Sequence, residues 1–228
     1  MRIGIRVRRS GRQVRPATPR RGTGQALVEF ALVFPIFLVM LLGIIEFAFV
    51  FNAVLTANFA TRDASLIAAE AGSGLGADCV IIAKVMEDMR PPVDAASITQ
   101  IIVYRAKPSG APWSGSYSGS GNVYNHVGTA ANPSDTTDCS TWGGSSAVPF
   151  ARADNNYPEG LPNLQTGSGG RCNYLNGCPS NSLRTRDAVG VQVTYEYTWH
   201  TPLRNFLSLN GGGYTIVRSN EMRMEPIL

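Results

Sequence analysis

Residues 30–45 are 16 consecutive positions without a charged side chain, and an arginine-rich segment stands directly before them. At 1.5 Å per helical residue the run covers about 24 Å, somewhat short of a hydrocarbon core of about 30 Å. Extending it through Phe47-Ala48-Phe49-Val50-Phe51 supplies the missing length, so a membrane helix is expected over residues 25–55. Glu46 then lies inside or near the far interface, where it must be neutralised, paired or snorkelling.

Charge sets the orientation. Residues 1–24 hold eight of the 20 basic residues and no acid, a local charge of +8. The rest of the chain carries 12 basic against 16 acidic side chains, a balance of −4. The basic pI therefore belongs to a leader at residues 1–24 and reads as a topology signal, not as a nucleic-acid surface. Arginines before the span and none close behind it put the N-terminus in the cytoplasm and everything beyond Asn52 outside. An ordinary cleaved signal peptide has a shorter apolar core, about 7 to 15 residues, closed by a small-residue site. No such site follows directly here, so the segment is expected to stay as an anchor.

Gly24-Gln25-Ala26-Leu27-Val28-Glu29 resembles a prepilin cleavage pattern, a glycine followed by a glutamate five residues on. Residues 21–35, with Leu42-Gly43-Ile44-Ile45-Glu46-Phe47 and Ala60-Thr61-Arg62-Asp63-Ala64, are similar to the N-terminal region of TadE-like proteins, pseudopilins of the tight-adherence (Tad, Flp) pilus system. A weaker similarity includes Met222-Arg223-Met224-Glu225-Pro226. The resemblance implies cleavage between Gly24 and Gln25 by an aspartic prepilin peptidase, with this chain as substrate. It also implies partners among Tad minor pilins, assembly-platform proteins and membrane lipid, without nucleic acid or cofactor. Glycine at the scissile position lets a catalytic pair approach the backbone. Glu29, at the cytoplasmic helix end, is stabilised by the helix dipole and is placed to pair with the new amino group at Gln25 of a neighbouring subunit. The plainer reading of Glu29 is an interfacial carboxylate that snorkels.

Beyond the membrane the helix should continue over residues 56–72. Ala53, Ala57, Ala60, Ala64, Ile67 and Ala71 draw one stripe of mainly small residues, suited to close packing on a neighbour or on the chain's own domain. In a pilin-like molecule the lower half would meet neighbours and the upper half its own domain. Gly72 closes the helix. Residues 73–228 should then form an extracytoplasmic α+β domain. Asp78 is expected to cap a short second helix with Cys79, Ile82, Ala83, Met86 and Met89 on its apolar face, stopped by Pro91-Pro92. Strands are expected at residues 97–106, 188–199 and 214–224, forming a small antiparallel sheet. In the second of them Val189, Val191, Val193, Tyr195, Tyr197 and Trp199 alternate with polar residues, implying one buried and one wet face. A short helix is expected over residues 203–209.

Residues 107–186 are rich in Gly, Ser, Asn, Pro and Thr and read as a loop-rich insertion. Trp113, Tyr117, Tyr124, Trp142 and Tyr157 there serve either as contacts for a partner or as cover for the sheet. All four cysteines lie on the external side: Cys79, Cys139, Cys172 and Cys178. An even count in an oxidising compartment points to two disulfides, with Cys79–Cys139 and Cys172–Cys178 the preferred pairs. A zinc site is the alternative, and it lacks the paired C-x-x-C knuckles. Catalysis is not expected. His126 and His200 have no metal or nucleophile pattern around them, the glycine-rich stretches lack a phosphate-binding lysine, and Asp154, Asp187 and Glu196 are scattered. The reading is a membrane-anchored minor pilin or pseudopilin. The alternative is an uncleaved single-pass surface protein binding a ligand through its aromatic loops.

Overall fold

Helix α1 (Thr23–Ala71) carries the apolar run and outlasts it. The structure, a computed structural model, describes residues 23–90, 93–127, 149–159, 170–172, 187–203 and 213–224. Two units divide the chain between Leu41 and Leu42. In the first, the described residues are helical, and Phe30, Leu32, Val33, Ile36, Phe37 and Met40 are all exposed. Together with Leu27, Val28, Phe34 and Leu38, which are also exposed, these positions go round the full circumference of the helix, and a helix that is apolar on every side requires an apolar surrounding. Pro35 removes one backbone donor there. Membrane helices tolerate that loss where neighbouring groups satisfy the freed carbonyl.

In the second unit α1 acquires an inner face. Ala53, Ala57, Ala60, Ala64 and Ala68 are buried in the main core together with residues of the sheet. Their small side chains let the helix backbone come close to what covers it. The stripe expected from the sequence is therefore used by the chain's own domain from Ala53 upward, and its lower half is not left for a neighbour. Gly72 adopts a φ of 56°, and its N–H donates to the Ala68 carbonyl at 3.1 Å, ending the helix with a left-handed residue.

Helix α2 (Ala77–Asp88) begins after Gly76, itself left-handed at φ 81°. Asp78 is not its cap, contrary to expectation; it lies in the first turn and is buried. The apolar face also turns relative to the expected one. Ile81, Ile82, Val85 and Met89 are buried, whereas Ala83 is exposed. The helix starts two residues earlier than a cap at Asp78 would place it, and with the Asp78 carboxylate itself buried the inner face lies about one position before the expected one.

Five strands follow: β1 (Ile98–Ala106), β2 (Gly121–His126), β3 (Phe150–Asn155), β4 (Ala188–Tyr197) and β5 (Tyr214–Arg223). They form one antiparallel sheet in the order β3-β2-β1-β4-β5. β1 is central and carries Ile101 and Val103 on the helix side, with Val193 and Val191 as their β4 partners. The opposite face is not wet along its length. Ile102, Tyr104, Ala106 and Val123 form a second small cluster covered by Tyr117, and Gln192 on β4 is buried. Gly190 is required by this cover, since a Cβ there would stand 2.2 Å from the Tyr104 ring.

β2 and β3 fall inside the stretch expected to be loop. β2 has only Val123 and Tyr124 as large apolar residues, and β3 buries only Phe150 while its last four residues are exposed. β3 is an edge strand and needs little apolar pattern, because its backbone ladder and a single anchor hold it, while β2 is paired on both sides, to β1 and to β3. The helix expected over residues 203–209 lies outside the described residues beyond Leu203.

Candidate functional site

Glu46 is the first charge after the apolar run and is only 2 % exposed, covered by protein. Its partners come from the far end of β4 and the turn behind it. Oε1 accepts from the Tyr197 hydroxyl at 2.5 Å and from the His200 N–H at 3.2 Å; Oε2 accepts from the Thr201 N–H at 2.8 Å. β4 has just ended, so these two backbone donors have no ladder partner, and the carboxylate supplies one. The His200 ring stacks on Phe49 at 4.9 Å, and its Nδ1 lies 3.2 Å from the Tyr197 hydroxyl. Burial and the neighbouring carboxylate both push the Tyr197 phenol up, which keeps it a donor. Of the three fates expected for Glu46, pairing is the observed one.

A second buried polar centre joins α2 to the segment behind β3. Asp78 accepts from Asn122 Nδ2 at 2.7 Å and from the Tyr124 hydroxyl at 2.7 Å, both from β2. Its other oxygen pairs with the fully buried Arg171 guanidinium. Arg171 lies 4.8 Å from the centre of the Tyr157 ring. Burial works against the Arg171 charge, but Asp78 and then Tyr157 and Glu159 outweigh it, so the guanidinium is held above its ordinary value. Nearby, Asp187 accepts from the Tyr157 hydroxyl at 3.3 Å and the Cys172 N–H at 3.0 Å, and pairs with Arg105 at 2.8 Å. Glu159 closes the assembly by accepting from the N–H groups of Gly76 and Asp78, each at 2.7 Å. It does the capping expected of Asp78, and a carboxylate at that helix end is favoured by the dipole.

Such an arrangement holds segments together and leaves little for chemistry. Each carboxylate is engaged by several donors, and Asp78 and Asp187 are closed off from solvent. Among the described residues there is no group of three or more His, Cys, Asp and Glu that could hold a metal ion. Burial pushes Tyr124 and Tyr157 upward, with Asp78 and Asp187 adding to the effect respectively, so both phenols remain protonated donors.

The residues singled out for processing stand apart from these centres. Gly24 has open space around it, and Glu29 is exposed and accepts from Gln25 Nε2 at 3.1 Å. Neither Cys79 nor Cys172 is a free thiol. Cys139 and Cys178 lie outside the described residues, as does Trp142. Of the other loop aromatics, Tyr124 and Tyr157 are buried in the main core, Tyr117 sets its edge 4.9 Å from Tyr104, and Trp113 lies over Arg105 at 3.9 Å. His126 makes an edge contact to Phe150 at 5.3 Å. The Tyr197, His200 and Thr201 partners of Glu46 were not foreseeable as a set, because their link to α1 spans some 150 positions. Arg171 did leave a signal: a lone arginine beside a cysteine within a glycine- and serine-rich stretch.

Comparison with known proteins gives one positive finding. Residues 24–66 match the model of the TadE-like protein family, a stretch that begins at Gly24 and lies wholly within α1. No curated protein and no solved structure matches the chain. The family suggests a component of a Tad pilus, and the apolar helix is consistent with membrane anchoring.

Proposed function

We propose that this chain is a minor pilin or pseudopilin, a single-pass structural component of a Tad-type (type IVb) pilus assembly or secretion apparatus. The observation that carries the reading is the family match over residues 24–66, falling on a helix whose first part exposes apolar side chains on every face. The N-terminus is cytoplasmic and the sheet domain extracytoplasmic, following the arginine bias of residues 1–24. A prepilin peptidase removes the leader between Gly24 and Gln25. The freed amino group then pairs with Glu29 of a neighbouring subunit, and membrane lipid, other minor pilins and assembly-platform proteins are the partners.

Beyond Glu46, α1 keeps an outer face for those partners. Phe47, Phe51, Leu55, Phe59 and Leu66 are exposed, while the alanine stripe is buried. Assembly is thus the mechanism, and no reaction is assigned to the chain. Disulfides Cys79–Cys139 and Cys172–Cys178 would brace the ectodomain outside the cell.

Comparing intact masses of the wild-type chain and a Gly24→Leu variant tests the proposal. Loss of residues 1–24 from the wild type but not from the variant is expected. An unprocessed wild-type chain found in intact surface assemblies would refute it. Glu29→Gln should still insert in the membrane yet fail to join the complex.

A further inference from the structure

We propose that the turn behind β4, around Trp199 and His200, is a second membrane contact, docked on the outer lipid interface. The inference rests on the reading of α1 as the membrane span, narrows the expected 25–55 to the part before Glu46 because protein covers one side of α1 beyond it, and adds a site. Glu46 follows the charge-free run directly and accepts from the backbone N–H groups of His200 and Thr201. Whatever depth Glu46 has, the turn has too. A carboxylate saturated by three protein donors has no need to reach water, so it can sit at the boundary of the hydrocarbon.

Counting inward from Glu46 gives the same level. About 20 residues of helix cross a hydrocarbon core, which reaches from Ile45 back to Ala26 and leaves Glu29 close to the cytoplasmic interface. Past Glu46, Phe49, Val50 and Val54 pack against the domain core and Ala53 is buried in it, so protein and not lipid covers that side of the helix.

The chemistry of this end of the sheet fits a headgroup region. Trp199 is half-buried, Thr198 and His200 are exposed, and Tyr214, which pairs with Tyr197 across the β4–β5 ladder, is 59 % exposed. Trp and Tyr are the side chains favoured at membrane interfaces, where an apolar ring and a polar edge are both satisfied. The opposite end provides a contrast. Arg105, which carries Trp113, pairs with Val189, eight residues before Tyr197 along β4, or about 26 Å at about 3.3 Å per residue. Trp113 thus lies at the far end of the strand from the proposed contact.

Full-length protein in lipid nanodiscs, with brominated acyl chains as quenchers, tests the site. Three single-tryptophan forms are compared: Trp199 alone, Trp113 alone, and Phe37→Trp with the three native tryptophans changed to Phe. Trp199 should lose emission, more with bromine near the headgroup than near the chain end, and Trp113 should lose none. The Phe37→Trp form should be quenched most strongly by the deeper bromines. If Phe37→Trp is quenched and Trp199 is not, the docking is wrong while the anchor stands, whether the turn is bare or covered by a second copy of the chain. If Phe37→Trp itself escapes quenching, the anchor reading fails and the docking with it. Equal quenching of Trp113 and Trp199 also overturns the proposal, since the contact would then not be local to this turn.

Discussion

Replacing Glu46 by alanine removes one acceptor group and strands three donors. The Tyr197 hydroxyl lies on a residue only 1 % exposed, while the N–H groups of His200 and Thr201 are part-buried. A buried orphan donor costs about 1–3 kcal/mol and the part-buried ones less, which sums to about 3–5 kcal/mol lost in Glu46→Ala. Glu46→Gln keeps a carbonyl for one side but turns an amide N–H₂ toward the other donors, so about half of that loss is expected. Tyr197→Phe removes a single donor and leaves the backbone pair in place, costing about 1–2 kcal/mol. Urea unfolding of the detergent-solubilised full chain, followed by tryptophan fluorescence, measures all three together with the Glu46→Ala/Tyr197→Phe double variant. A coupling of about 1 kcal/mol or more between the two positions is expected, because contacting partners are not additive. A Glu46→Ala protein within about 0.5 kcal/mol of wild type would place this residue among ordinary surface acids and refute the clamp.

Arg171→Met should destabilise the domain by about 3–5 kcal/mol by leaving Asp78 buried without its cation, and adding Asp78→Asn should recover part of the loss; a larger loss in the double variant contradicts the pairing. Alkali should weaken the fold through Tyr104, which burial, then Tyr117 and Glu221, push up from the ordinary 10.0 to about 12. Its proton is held more tightly in the folded state, so the contribution is complete below pH 10 and is lost as the pH climbs toward 12. Urea midpoints measured across that window should fall less steeply in Tyr104→Phe than in wild type, and identical slopes would rule the residue out. Protein purified without reductant should show no reactive thiol under denaturing maleimide labelling, whereas four labelled cysteines would remove the proposed disulfides.

The elements that could be read from the sequence are those whose signal is local and repetitive. α1 announces itself by an uninterrupted apolar run and a stripe of alanines, and β4 by six alternating large residues. Gly72 marks the end of α1 because a left-handed φ favours glycine. β2 and β3 escaped because β2 draws on pairing with β1, β3 on pairing with β2, and both have few apolar residues of their own. Gly121, which opens β2, is extended and pairs with Tyr104, where a Cβ would meet the Val103 carbonyl at 2.7 Å. A glycine needed for close strand approach looks, in sequence, like one more loop glycine. Asp78 was misread for a related reason. An acid at a helix start is usually a cap, and only the three-dimensional arrival of Arg171, Asn122 and Tyr124 turns it into a buried hub while Glu159 takes the capping role. Glu46 was recognised as a residue needing a partner, but nothing in its neighbourhood along the chain points to Tyr197 or Thr201.

Anchoring by α1, with the sheet domain on the far side of the membrane, is the claim on which the rest depends. Adding protease to intact spheroplasts and extracting their membranes with alkaline carbonate tests it directly. The account predicts that sites beyond Asn52 are cut from outside, while the fragment holding residues 25–45 stays in the membrane pellet. Protection of those sites until the cells are lysed, or release of the whole chain by carbonate, would contradict it.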